Sequence, residues 1–409
     1  MVGASVLTFL DRTRHAAAPS GSREEDTIGP DRKLWVLAGL LAACNAGSPQ
    51  HPLDASDSVS AGPPAAATAS AAPGPGGFIF SPYKDSEINL DWNTNVLSTE
   101  VTGAQVSVLK AMPATLKTLT WAFATGECGR EDWAGVDGAA FARANVTSFV
   151  SAGKHYIVST GGALAAFTCT SDARFATFMK RYDSANLVGV DFDIEQGQSQ
   201  RDIDNLVARV VVAQRRYPKI RFSFTVGTEG GSAGQSLSAY GVMTLKAIRT
   251  QGLKDYTINL MVMDYGPATK SNCVLGRQGR CDMGRSAIQA AVDLHVYHGV
   301  PYSQIELTPM IGGNDITDEV FTTQDVATVS AFVKQQGLAG VHFWSFDRDT
   351  DCPPATASDT CNTYGRAGIL GFTNRFLSDL GLHTKGTHAG SPGLPDAGTV
   401  PRNAGRAAR

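Results

Sequence analysis

Eight short apolar runs, about 30 to 40 residues apart and separated by amphipathic stretches, constrain this chain more than any other feature. They begin near Phe78, Leu119, His155, Leu187, Ile220, Ile258, Ile305 and Gly340. Runs of this length read as buried strands, and the stretches between them read as helices. The clearest helical segment is Ile203 to Arg216, where Leu206, Val207, Val210 and Val211 share one face. Ala287 to Tyr297 and Val326 to Gln336 are patterned in the same way. Strand and helix alternating eight times predict an α/β fold, a single (β/α)8 TIM barrel over residues 78–383. In such a barrel the functional groups collect at the C-terminal ends of the strands. A doubly wound open sheet is the competing arrangement. No GxGxxG follows the first run, and polar residues gather at many strand ends instead of one crevice.

The flanks have a different character. Leu34 to Ala43 is an apolar run preceded by Arg32 and Lys33 and followed by Cys44. As a helix it would rise only about 15 Å, short of a bilayer span, so it reads as the core of a signal peptide. Leu41-Ala42-Ala43-Cys44 also resembles a bacterial lipobox, whose cysteine is lipidated after cleavage; ordinary secretion with cleavage at a nearby Ala is the alternative. Both expectations export the protein, either secreted or lipid-anchored to the cell envelope through Cys44, facing outward or the periplasm. Glu24, Glu25 and Asp26 do not suit a signal n-region, which points to a start downstream of Met1, although no second Met precedes Cys44. Residues 1–44 are thus assigned as an extension with a signal. Residues 45–77, rich in Ala, Pro, Ser and Gly, and the similar tail 384–409 are predicted to be disordered.

A formal charge of −3 leaves no basic footprint for nucleic acid. Of the seven cysteines, six remain once Cys44 is set aside, an even set that suits an oxidising compartment. Sequence does not fix their pairing. Cys273–Cys281 and Cys352–Cys361 are the economical local choices, which leaves Cys128 with Cys169. Zinc competes weakly, since tight CxxC clusters are absent and the histidines form no HExxH. No metal, no cofactor and a monomer are expected.

The chemistry concentrates in Asp191-Phe192-Asp193-Ile194-Glu195. On a strand, alternation puts all three acids on one face and the apolar residues on the other. Carboxylates crowded in this way displace at least one pKa, as acid catalysis requires. An acidic solvent face or a calcium ligand set is the plainer explanation.

Gly189 to Glu195 resembles the fourth strand of family 18 glycoside hydrolases, the chitinases, with their DxxDxDxE signature. Ser159-Thr160-Gly161-Gly162 is similar to that family's SxGG on the third strand, and Asn259 to Tyr265 to its sixth-strand motif. Thr308 to Gly312 and Phe343-Trp344-Ser345 match the seventh and eighth strands. The resemblance spans residues 78 to about 382. It implies hydrolysis of chitin or chitooligosaccharides, with the substrate's own 2-acetamido oxygen as nucleophile, an oxazolinium intermediate and retention of configuration. Glu195 would be the proton donor, Asp193 the partner of the acetamide, and Asp191 would share a proton with Asp193. Trp344 would floor the central subsite and Asp264 would contact the sugar or Glu195.

Two positions depart from the family pattern. Val188 replaces the signature's first Asp, and Met263 stands where a tyrosine normally binds the acetamide oxygen. Tyr265, two residues on with the same parity, is the candidate to reach that place. Trp92 and Trp133 are candidates for outer subsites, with packing an equal explanation, and Asn314 and Asp315 follow the seventh strand near the mouth. Two rivals share the barrel: a glycan-binding lectin, which usually lacks an acid at the position of Glu195, and an endo-β-N-acetylglucosaminidase acting on N-glycans.

Overall fold

The computed structural model describes residues 77–382 except 233, 235 and 354–356. The expected signal, Cys44, linker and tail lie outside the described residues. Eight parallel strands form the barrel: β1 (Ile79–Phe80 and Tyr83–Asp85), β2 (Thr118–Ala124), β3 (His155–Gly161), β4 (Leu187–Asp193), β5 (Arg221–Gly227), β6 (Thr257–Met261), β7 (Ile305–Thr308) and β8 (Gly340–Val341). The split first strand closes the sheet. Its first piece pairs with β8, Ile79 opposite Gly340, and its second with β2, Tyr83 opposite Thr120. All described residues fall in one compact unit.

A helix follows each strand: α1 (Val108–Ala111), α2 (Gly138–Ser151), α3 (Asp172–Tyr182), α4 (Gln200–Arg216), α5 (Ala239–Gln251), α6 (Met283–His298), α7 (Thr323–Gln336) and α8 (Gly371–Asp379). Observed helices begin earlier than their apolar periodicity suggests, because polar caps start them. Ser199 and Asp202 form a capping box on α4, and Thr322 and Asp325 do so on α7. Outward residues of the strands, such as Val190, Phe192, Phe222 and Phe224, are buried beneath these helices.

The six cysteines in the barrel pair as Cys128–Cys169, Cys273–Cys281 and Cys352–Cys361. The first joins the segments after β2 and β3, which are also linked by the pairing of Gly126–Glu127 with Phe167–Thr168. Trp133 is fully buried, stacked on Phe141 with its indole N–H on Tyr182 Oη at 2.7 Å, so it packs the core and lines no subsite. Trp92 is 57% exposed in the loop after β1. Among the described residues no helix is long and apolar enough to cross a membrane.

Candidate active site

Strand register explains why the acids stand where they do. Asp191 on β4 lies opposite Ser159 on β3 and Ser223 on β5, so all three side chains enter the barrel at one level. Asp191 Oδ2 accepts from Ser159 Oγ at 2.6 Å and Tyr83 Oη at 2.9 Å. Its Oδ1 accepts from Ser223 Oγ at 2.7 Å and Thr225 Oγ1 at 2.8 Å. Burial raises the Asp191 pKa, and the four hydroxyl donors oppose that rise. The phenol of Tyr83 is pushed well above its ordinary range by burial and by Asp191 and Asp193, so it remains a donor. Asn259 Nδ2 donates to Tyr83 Oη at 3.0 Å and to Thr225 Oγ1 at 2.9 Å, while its Oδ1 accepts from Thr308 Oγ1 at 2.8 Å.

Asp193 is 5% exposed, and its Oδ1 has no hydrogen-bond partner among the described residues. Burial, then the charges of Glu195 and Asp191, raise its pKa well above the carboxylate range. Hydroxyls occupy both oxygens of Asp191, and no hydrogen bond joins the two acids. Gly161, at φ 89°, is fixed by the same geometry, because a Cβ there would collide with the Asp193 carbonyl.

Glu195 lies two residues past the end of β4, at the barrel mouth. Its pKa is raised to about 7, first by burial and then by the charge of Asp264. Asp264 is itself raised to about 6 by burial and Asp315, with Arg348 among the groups that oppose the shift. The Asp264 N–H donates to Asn314 Oδ1 at 3.3 Å, and its Oδ1 accepts from the Ile316 N–H at 3.1 Å. Arg348 is fully buried and donates to the carbonyls of Ile311 at 3.0 Å and Gly313 at 2.6 Å, and to that of Ser358. It thereby ties the loops after β7 and β8 to the loop closed by Cys352–Cys361.

These groups border a cavity of about 180 Å³ at the strands' C-terminal ends. Asp193, Glu195, Asp264, Met263, Asp315 and Trp344 all line it. Trp344 stacks against Phe123 at 5.5 Å, with its ring plane within 16° of parallel.

Tyr265 requires a correction, since it does not line this cavity. Strand β6 ends at Met261, and Asp264 adopts a left-handed φ of 48°, which breaks the alternation that would have put residues 263 and 265 on one face. Tyr265 is 3% exposed, and its N–H donates to Glu319 Oε2 at 3.1 Å. A larger cavity, of about 300 Å³, lies at the strands' N-terminal ends beside Tyr217, Arg221 and Tyr256, away from the acids. Among the described residues no group of three or more His, Cys, Asp or Glu could hold a metal ion.

Sequence reasoning did not single out Tyr83, Ser223, Thr225, Asn259 or Thr308 as site residues. Their signal is parity: each is a polar residue at an inward position, where barrels usually carry Val, Ile or Leu.

Fold and site together resemble a chitinase-like (β/α)8 domain, similar to those of glycoside hydrolase family 18. The chain is 27% identical over 213 residues to a probable bifunctional chitinase/lysozyme of Escherichia coli (strain K12), and equally so to endochitinase 11 of Metarhizium anisopliae. Each match takes in 48% of this chain but only 24% and 40% of the respective relatives. The chain therefore spans less than half the length of either. Among solved structures, the catalytic domain of a hyperthermophilic chitinase from Pyrococcus furiosus superposes with a TM-score of 0.58 at 23% identity, over 76% of this chain and 97% of that one. Catalytic-site mutants of active domain 2 of the thermostable chitinase from the same organism, complexed with chito-oligosaccharides, match at the same TM-score and identity, over 76% and 96%. These structures bear on the fold. No protein-family model matches the chain.

Proposed function

We propose that this chain is a chitinase-like glycoside hydrolase that cleaves β-1,4 bonds between N-acetylglucosamine units with retention of configuration. The observation that carries this reading is the pairing, in one cavity, of a largely buried Glu195 beside Asp264, its pKa raised to about 7, with the unpartnered, buried Oδ1 of Asp193. The relatives named as chitinases support the substrate class.

In this mechanism Glu195, protonated near neutrality, gives its proton to the glycosidic oxygen as the bond to the anomeric carbon breaks. Asp193 Oδ1 accepts the N–H of the 2-acetamido group, which turns the acyl oxygen toward that carbon. The new C–O bond closes an oxazolinium ring, and the carboxyls behind it stabilise the developing positive charge. Water, deprotonated by the Glu195 carboxylate, then attacks the anomeric carbon from the face the leaving group vacated, and the ring C–O bond breaks. This division of labour is an exception to the scheme in which a second carboxylate is the nucleophile. Asp191 fixes the strand geometry beneath Asp193, and Trp344 offers an indole face to the C–H face of the sugar.

Retention of an acid at position 195 favours an enzyme over a lectin on the same barrel. Three disulfides fit an oxidising compartment, and we infer export, with lipidation of Cys44 as the anchor and a monomer as the working form. The test is product analysis on chitotetraose, chitin and an N-glycan, with the first-formed anomer followed by NMR. A β-anomer from chitotetraose is expected. The α-anomer, or release from the N-glycan alone, would overturn the reading.

A further inference from the structure

Three methionines are among the residues that line the cavity. Met261 is the last residue of β6, Met263 lies two residues beyond it, and Met310 lies just past β7; all three line the cavity that Asp193 also lines. Every side-chain hydroxyl on that lining is already committed. Tyr83 and Thr225 donate to Asp191 at 2.9 and 2.8 Å, and Thr308 donates to Asn259 Oδ1 at 2.8 Å. Thioethers accept hydrogen bonds weakly and donate none. Apart from carboxyl groups, the indole N–H of Trp344 is the one side-chain donor on the lining without a hydrogen-bond partner among the described residues.

We propose that this site accepts 2-acylamino sugars whose acyl chain is longer than acetyl, and that Met263 is the residue that sets this tolerance. The inference rests on the substrate-assisted reading above. A 2-acylamino group held by its N–H on Asp193 Oδ1 places its alkyl end among the remaining lining residues, three of which are thioethers. No directed hydrogen bond from those thioethers fixes the acyl oxygen, so its position is set by packing. Methionine has three rotatable bonds and no branching, and it re-packs around an added methylene where a ring anchored by a hydroxyl does not. A longer acyl chain therefore displaces a flexible side chain and leaves no buried polar group unpaired, the condition under which discrimination is weak.

The experiment compares kcat/KM for methylumbelliferyl disaccharide glycosides whose rings carry N-acetyl, N-propanoyl or N-butanoyl groups, with the full chain and with Met263→Tyr and Met263→Leu. The wild-type protein is expected to turn over the propanoyl substrate within about tenfold of the acetyl one. Met263→Tyr is expected to widen that ratio by about tenfold or more, and Met263→Leu to leave it within about threefold of the wild-type ratio. Thermal melts confirm that each variant is folded. A wild-type preference for acetyl beyond about tenfold would overturn the proposed tolerance, and an unchanged ratio in Met263→Tyr would remove Met263 from the role. Failure of the folded wild-type protein on all three substrates would instead overturn the glycosidase reading on which the proposal stands.

Discussion

Replacing Asp264 by Asn removes the one charge that raises the pKa of Glu195, and the structure bounds the result. Glu195 moves from 4.5 to about 7, with burial the larger cause and Asp264 the second. At pH 6 that environment keeps about 90% of Glu195 protonated, against about 3% for an unperturbed glutamic acid. Because burial is the larger contributor, Asp264 supplies the smaller part of the shift, on the order of 1 pH unit or less. The alkaline limb of the kcat/KM profile on a chitooligosaccharide reporter should therefore move down from about 7 by on the order of 1 pH unit or less. At pH 5, where both proteins keep most of Glu195 protonated, the rates should differ least. Profiles taken at constant ionic strength measure this directly. An alkaline limb that stays put, or moves upward, would refute the assignment of Glu195 as the acid and Asp264 as its electrostatic partner.

Glu195→Gln should cut turnover of natural oligosaccharides by about 10²-fold or more while titration calorimetry still detects binding. Asp193→Asn should lower turnover strongly, and a thiazoline analogue of the oxazolinium should inhibit the wild-type protein; an active enzyme indifferent to that analogue would exclude substrate assistance. Arg348→Met leaves the carbonyls of Ile311, Gly313 and Ser358 without their donor, and should cost about 3 kcal/mol in urea unfolding, with a change under 1 kcal/mol counting against the brace. Stability should fall as pH rises from about 4 to 8. Asp85, Glu195, Asp264, Glu319 and Asp349 have folded pKa values raised to between about 6 and 8, so the folded state holds protons that the unfolded chain has released. Glu306 is lowered to about 2, where Arg221 and His342 outweigh the opposing effect of burial, and its contribution is lost progressively as pH falls from about 4.5 to about 2. Melting temperatures across this range check the sign.

Much of the barrel is legible in the chain because two periodicities coincide. All eight strands begin within about two residues of the expected positions, since each buried run is bounded by turn residues. The acids were legible for the same reason, as polar residues at inward positions of a strand whose outward positions are apolar. Phe222-Ser223-Phe224-Thr225-Val226 carries an equally clear alternation, but single hydroxyls on a strand are common enough that only the three-dimensional meeting with Asp191 gives them meaning. Tyr265 was misplaced because parity holds only while the backbone stays extended, and the turn at Asp264 ends it. Arg348 was invisible to sequence reasoning, since nothing in the chain marks which distant carbonyl oxygens a buried guanidinium will bind.

The hydroxyls around Asp191 come from β1, β3 and β5, strands separated by up to 142 residues. No fragment that lacks β1 or stops short of β5 can assemble that cage. A folding intermediate could hold most of its helices, and most of its far-ultraviolet signal, while Asp191 remained an ordinary hydrated carboxylate. Recovery of enzymatic turnover during refolding should then lag behind recovery of helix. The delay between them would time the step at which the first strand seals the ring.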